Sequence, residues 1–316
     1  MKRLLILLAA LLLVGCAPAE PKPTTYKTYS STLEALPLSY VPKRTAVLFS
    51  SLAEVWLMAG GTVYVTVGES VERGFASEDT VLVDSGAGKT IDVEALLAAK
   101  PDLVIGSADV PAQVQACTAA KNAGIPAVTV RMDTLEDYLE ALRLFTNITG
   151  NTEAYEVFGR QVEVEVTDVL AQLPEASQKK ILFIRAGSTA SATKAKRAPE
   201  NFVCTMLQEL GTYNIADDAP VLLDGLSLEH ILVSQPDYIF ISTMGDESAA
   251  KAYITELFAS DGWNTLNAVQ EGNWAFLPRE LFHFKPNGRW AAAYWHLAHL
   301  LHPELEDRYV YVPELK

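Results

Sequence analysis

The sequence predicts an α/β protein made of two similar open lobes joined by one long helix. Three observations carry this. Glu94, with Pro101-Asp102 seven positions on and then Leu103-Val104-Ile105, recurs as Glu229, Pro236-Asp237 and Tyr238-Ile239-Phe240, an offset of 135 residues from Glu94 to Glu229 and from Asp102 to Asp237. The same offset aligns Ala46-Val47-Leu48-Phe49 with Ile181-Leu182-Phe183-Ile184. Between the copies, Ala154, Val157, Phe158, Val162, Val166, Val169, Leu170 and Leu173 follow helical spacing.

In chain order, residues 1–16 come first. Met1-Lys2-Arg3, an apolar run from Leu4 to Val14, and Gly15-Cys16 describe an export signal too short for an ordinary membrane span. Leu13-Val14-Gly15-Cys16 resembles the bacterial lipobox, whose cysteine is lipidated and becomes the new N-terminus. Cleavage before Cys16 takes the 316-residue chain to 301 residues, and losing Lys2 and Arg3 takes its net charge from -14 to -16. Residues 17–39, rich in Pro, Thr, Ser and Tyr, read as a tether. The first lobe is expected over 40–150, the connecting helix over 151–174 and the second lobe over 175–316. Asn151 is the expected N-cap of that helix and Pro174 its stop. Val162, Val164 and Val166 also alternate as in a strand, but the helical pattern is longer.

In each repeat the Glu-to-Pro stretch reads as a short helix, and the apolar run after Asp as a buried parallel strand. Gly124-Ile125-Pro126-Ala127-Val128-Thr129-Val130 and Gly272-Asn273-Trp274-Ala275-Phe276-Leu277 are further turn-then-strand signals.

Composition narrows the function. The chain is 49% hydrophobic, which excludes wholesale disorder, and its acidity opposes nonspecific nucleic-acid binding. Three cysteines make neither a disulfide framework nor a four-cysteine zinc site. Cys117 and Cys204 sit on apolar helical stretches and read as buried small hydrophobes. No Gly-x-Ser-x-Gly elbow, His-Glu-x-x-His helix or iron–sulfur cysteine cluster is present, so no enzyme is expected; a surface-anchored enzyme on a similar two-lobed fold stays as the alternative class. Gly88-Lys89-Thr90 is no phosphate loop, because Val83 stands where that motif needs glycine. His296, His299 and His302 have i, i+3, i+6 spacing near Pro303, which also suits basic residues at a helix end.

The export signal, two repeated lobes and one connecting helix together resemble the substrate-binding lipoproteins of ABC importers for iron-siderophores, haem and vitamin B12, the helical-backbone binding proteins. The matching stretches are Arg44 through Ser51 with Glu54, Glu94 through Ile105, Gly124-Ile125-Pro126, and Leu228 through Phe240, within 40–303. The resemblance implies a ligand cleft between the lobes, restricted hinge motion, and docking of Glu94 and Glu229 onto arginines of a permease. It implies a monomer outside the cytoplasm, lipid-anchored at the cell surface or in the periplasm, with no intrinsic cofactor. The bound ligand is a metal chelate: an anionic ferric siderophore-like complex first, then haem or a corrinoid.

Open α/β sheets bind ligands beyond the carboxyl ends of their strands. Strand ends and the loops beside them supply Ser51, Arg73, Lys89, Ser107, Ser188 and Thr243 as candidate contacts. The second lobe carries an insertion, Gly187 through Phe202, that is basic within an acidic chain. Lys194, Lys196 and Arg197 there suit an anion, and Lys194 and Arg197 are taken as contacts. Leu281 through Trp290 mixes aromatic and basic residues; His283, Lys285 and Arg289 are its candidates, with Arg289 also able to form an internal ion pair. His283 is a possible metal ligand. For haem, His283 or Tyr64 is the expected axial ligand.

Overall fold

The computed structural model describes Leu38, residues 40–174 and residues 178–305; the signal, Cys16 and most of the tether lie outside the described residues. The first lobe is a parallel sheet of β1 (Thr45–Val47), β2 (Val63–Thr66), β3 (Val81–Leu82), β4 (Leu103–Ser107) and β5 (Ala127–Val130), in the order β3-β2-β1-β4-β5. The second sheet holds β6 (Lys180–Ala186), β7 (Lys194–Ala195), β8 (Tyr213–Asn214), β9 (Tyr238–Thr243) and β10 (Trp274–Phe276), in the order β10-β9-β6-β7, with β8 also beside β6. Only β7 runs antiparallel: the insertion turns back onto β6, setting Lys194 opposite Arg185.

The repeat has a structural reason. Lys100 and Gln235 both take left-handed backbone (φ 49° and 46°) before the proline of each copy. The following aspartate then ties the start of the adjacent strand. Asp102 accepts the N–H of Lys43 at 2.8 Å and of Arg44 at 3.0 Å, and Asp237 accepts that of Lys180 at 2.7 Å.

Segment 151–174 is helical from Thr152 to Ala171, with one π-helical turn at Glu156–Arg160. Asn151 caps it by accepting the N–H of Ala154. Val162 and Val166 are buried while Val164 is 48% exposed, which is helical spacing rather than a strand's alternation. The buried Tyr138 hydroxyl donates to the Phe158 carbonyl within the π turn at 2.7 Å, meeting a backbone acceptor where the helical ladder is irregular.

Each buried strand sends alternate side chains to opposite faces. Val47, Leu103, Ile105, Val128 and Val130 of the first sheet and Ile181, Phe183 and Phe240 of the second enter one common core. That core also takes in the linking helix and helix Trp290–Leu301, which pack on each other. Ala46, Val104 and Ala127, and separately Leu182, Ile184, Ile239 and Ile241, face the outer helices of their own lobes. Because one core serves both lobes, a wide hinge opening would expose packed apolar surface. Cys117 and Cys204 are buried free thiols, and burial pushes that of Cys117 up to about 12.

Candidate functional site

A cleft of about 400 Å³ lies between the lobes at the carboxyl ends of both sheets. Segments following β1 to β5 bring Phe49 and Ser51, Glu69, Lys89, Val110 and Asp133 to it in turn. The second lobe brings Arg185 at the end of β6, Glu200 to Phe202 after β7, Met244 and Gly245 after β9, and His283 to Lys285 beyond β10.

Lys89 rides on a built turn. The Asp84 carboxylate accepts the Gly88 N–H at 2.6 Å and the Thr90 hydroxyl at 3.2 Å. Buried Gln113 donates to the Gly88 carbonyl at 3.0 Å and accepts the Ser107 N–H at 2.7 Å. Gly88 has φ +76°, and a Cβ there would stand 2.3 Å from the Leu48 carbonyl oxygen. Glycine is therefore required, and its N–H is spent on an aspartate rather than offered to a phosphate.

Under the cleft lies an ion network joining the lobes. Glu54, 1% exposed on helix Ser50–Met58, pairs with Arg73 at 3.2 Å and with Arg289 at 2.7 Å. The Asn287 amide donates to Glu54 at 2.8 Å and to the Ser51 carbonyl at 2.9 Å. Arg73 also donates to the Ser50 and Ser51 hydroxyls at 2.9 and 3.2 Å, and its guanidinium lies 4.0 Å from the Phe284 ring centroid. Burial lowers the Arg73 pKa, which the two acids Glu54 and Glu69 oppose.

Arg185 is different. Its side chain is largely desolvated, which lowers its pKa; the neighbouring Arg279 lowers it further, and among the described residues no acid forms an ion pair with it. Its Nε–H is buried with no hydrogen-bond partner. A cation held this way at a cleft wall suits an incoming anion. His283 beside it has its Nδ1 2.9 Å from the Thr243 carbonyl. A carbonyl only accepts, so Nδ1 carries the proton and Nε2 keeps the lone pair. Burial and the two arginines hold the His283 pKa below its ordinary value, against the Thr243 hydrogen bond and Glu69.

Of the residues expected from the sequence, Ser51, Lys89, His283 and Lys285 line the cleft. Lys285 also pairs with Asp133 of the other lobe at 2.6 Å. Ser107 lines a smaller adjoining cavity. Arg73 and Arg289 do not line the cleft: both are drawn beneath it by Glu54, the internal ion pair being the option Arg289 takes. Arg197 turns onto Glu200 at 3.3 Å, Lys194 lies on β7, and Ser188 is exposed away from the lining. Thr243 is buried and reaches the site through its carbonyl to His283. Tyr64 is no axial candidate, because its hydroxyl accepts from Arg44 at 3.1 Å outside the cleft. His299 bonds the Leu305 carbonyl at 3.1 Å and His302 pairs with Glu304 at 3.5 Å. Among the described residues no group of three or more His, Cys, Asp or Glu side chains is placed to hold a metal. Glu94 and Glu229 are both exposed second residues of equivalent helices, Val93–Ala98 and Leu228–Ser234.

Arg185 lies at a strand end where the sequence places a site but was not taken as a contact, and Glu69 and Asp133 were not singled out. Arg185 left a signal: a lone charge closing the otherwise apolar run Ile181-Leu182-Phe183-Ile184. Glu69 and Asp133 left none beyond their nearness to strand ends.

Two α/β lobes on one linking helix, with a cleft formed at the ends of both sheets, define a two-lobed solute-binding protein. The chain matches the model of the periplasmic binding protein family over residues 46–281 and belongs to that family. Membership makes it a binding protein rather than an enzyme, and one that works outside the cytoplasm. Among the described residues no helix is long and apolar enough to cross a membrane. The TroA-like periplasmic binding protein FepB of Veillonella parvula is similar in fold, with 18% identity, a TM-score of 0.68, and 84% of this chain and 87% of that one covered. The periplasmic haem-binding protein RhuT of Roseiflexus, in apo form, has 18% identity and a TM-score of 0.65, covering 83% and 98%. Staphylococcus aureus SirA, complexed with staphyloferrin B, has 18% identity and a TM-score of 0.61, covering 86% and 96%. No curated protein matches the chain.

Proposed function

We propose that the protein captures an anionic metal chelate, a ferric siderophore-like complex first, and delivers it to an ABC permease. The observation that carries this reading is Arg185, a desolvated guanidinium at the cleft wall with an unpartnered Nε–H and no ion pair among the described residues. Lys89 adds positive charge to the same cleft, while Lys285 is paired with Asp133. The fold likeness to a haem-binding protein and to one complexed with staphyloferrin B supports the class of ligand without choosing within it. Haem is the second reading, favoured by the His283 Nε2 lone pair, which a corrinoid could also use. Delivery rests on exposed Glu94 and Glu229, and retention at the membrane on a lipid at Cys16.

The test is a thermal-shift screen of the protein with ferric siderophores, ferric citrate, haem and cobalamin. A ligand at one hundred times its dissociation constant adds about 2.7 kcal/mol. Hydrogen bonds to charged groups contribute about 1.5–3 kcal/mol, so Arg185→Ala is expected to weaken the best chelate roughly 10- to 100-fold. The reading fails if no chelate stabilises the protein, or if Arg185→Ala binds the best one as well as the parent does.

A further inference from the structure

Beside the main cleft lies a recess of about 90 Å³, walled by Phe49, Leu52, Val110, Val130 and Met132, with Ser107, Asp109, Asp133 and Lys285 completing its lining and Asp109 paired with Arg131 at 3.2 Å. Leu52, Val130 and Met132 are almost fully buried and belong to the common core, so these walls are fixed rather than collapsed side chains. Phe49, Val110, Asp133 and Lys285 line both the recess and the cleft, so the two spaces adjoin. The Asp133–Lys285 pair at 2.6 Å marks that shared boundary and joins the lobes.

The charges of the cleft are mixed as well. Glu69, Asp133 and Glu200 share its lining with Lys89, Arg185 and Lys285. Asp133 is paired with Lys285 and Glu200 with Arg197, so the charge open to a ligand is confined to part of the lining, and carboxylates on every side would leave the apolar recess unmatched. A ligand with one anionic edge and one apolar end would satisfy both regions.

We infer that the ligand is an amphiphilic chelate, whose anionic edge faces Arg185 and whose hydrocarbon arm enters the recess between Val110 and Met132. This rests on the chelate reading above and narrows it. The recess is smaller than the cavity of about 150 Å³ that holds benzene, so it takes a short branched alkyl group or the leading edge of one ring. Insertion there removes hydrocarbon from water against walls already in place.

The experiment compares two probes by isothermal titration: ferric citrate, which has no such arm, and the ferric complex of catechol, whose rings present bare hydrocarbon edges. The protein is expected to bind the aryl complex at least tenfold more tightly. Val110 is half-buried at the start of helix Pro111–Asn122, where a larger side chain fills the recess mouth without entering the core. Val110→Phe is expected to cut the ratio of the two dissociation constants at least tenfold, and Val110→Leu to cut it less. A parent ratio near one, or a ratio that Val110→Phe leaves unchanged, overturns the inference. Tight binding of ferric citrate with that ratio would sink the arm while leaving the chelate reading intact; binding of neither probe, nor of any chelate in the screen, would sink both.

Discussion

Arg185 and Arg289 show how one residue type divides between binding and building. Both stand on segments that end near the cleft, yet Glu54 takes Arg289 at 2.7 Å whereas no acid among the described residues pairs with Arg185. Both Nε–H groups are buried without a hydrogen-bond partner, but the Arg289 charge is met by Glu54 through another nitrogen, whereas Arg185 has no such ion pair among the described residues. His283 carries a prediction at this scale. Its folded pKa lies below the ordinary 6.5, so the unfolded chain binds more protons than the folded one as pH falls through that region. Stability from this residue is therefore full above pH 6.5 and is lost as pH falls from there through the lower folded value. Thermal unfolding of His283→Gln from pH 5 to 8 is expected to show a flatter slope than the parent. Equal slopes would mean that His283 is not held neutral. The same neutrality leaves Nε2 able to accept a donor or a metal near neutral pH.

Among the elements, the most consequential is helix Ser50–Met58, because it carries Glu54 into the join between lobes. Its partners come from the helix end at Arg73 and from the 3-10 turn Asn287–Arg289, which starts 233 positions along the chain from Glu54. Removing the carboxylate would strand two guanidiniums and an amide. Glu54→Ala is expected to lose about 3–5 kcal/mol of stability in urea unfolding, since breaking a buried pair leaves uncompensated charge. A loss under 1 kcal/mol would show that the network relaxes into water. The insertion illustrates the reverse case. Its basic residues read as a ligand loop, but the chain folds it back as β7 on β6 and satisfies Arg197 with Glu200 three residues on. Glu200 and Asn201, rather than the lysines, then reach the cleft.

For the molecule as a whole, the repeat places Glu94 and Glu229 at matching positions on helices of opposite lobes, and the shared core holds those lobes together. A permease that reads both acids at once reads the spacing of the lobes, and exposed charges act mainly on encounter. Uptake of the bound chelate by cells is expected to fall at least tenfold in Glu94→Ala with Glu229→Ala, and also in Cys16→Ser, while titration of the purified variants gives unchanged ligand affinity. Full uptake by the double variant would remove these acids from docking; full membrane-retained uptake by Cys16→Ser would remove the lipid anchor.

Much of this architecture was legible in order along the chain. The Pro-Asp repeat marks two strands because the proline ends a helix and the aspartate ties the neighbouring strand. Val162 and Val166 mark the linking helix once Val164 is seen to face solvent. Such features are local: periodicity, caps and turns depend on residues a few positions apart. By itself the sequence determined two similar lobes, a connecting helix, the strand ends where a site would form, and the paired acids. Only the tertiary structure decided which basic residues face the cleft. Glu54 claims Arg73 from 19 positions away and Arg289 from 235, whereas Arg185 is left at the cleft wall; which arginines a buried acid takes depends on the packing of segments distant in the chain.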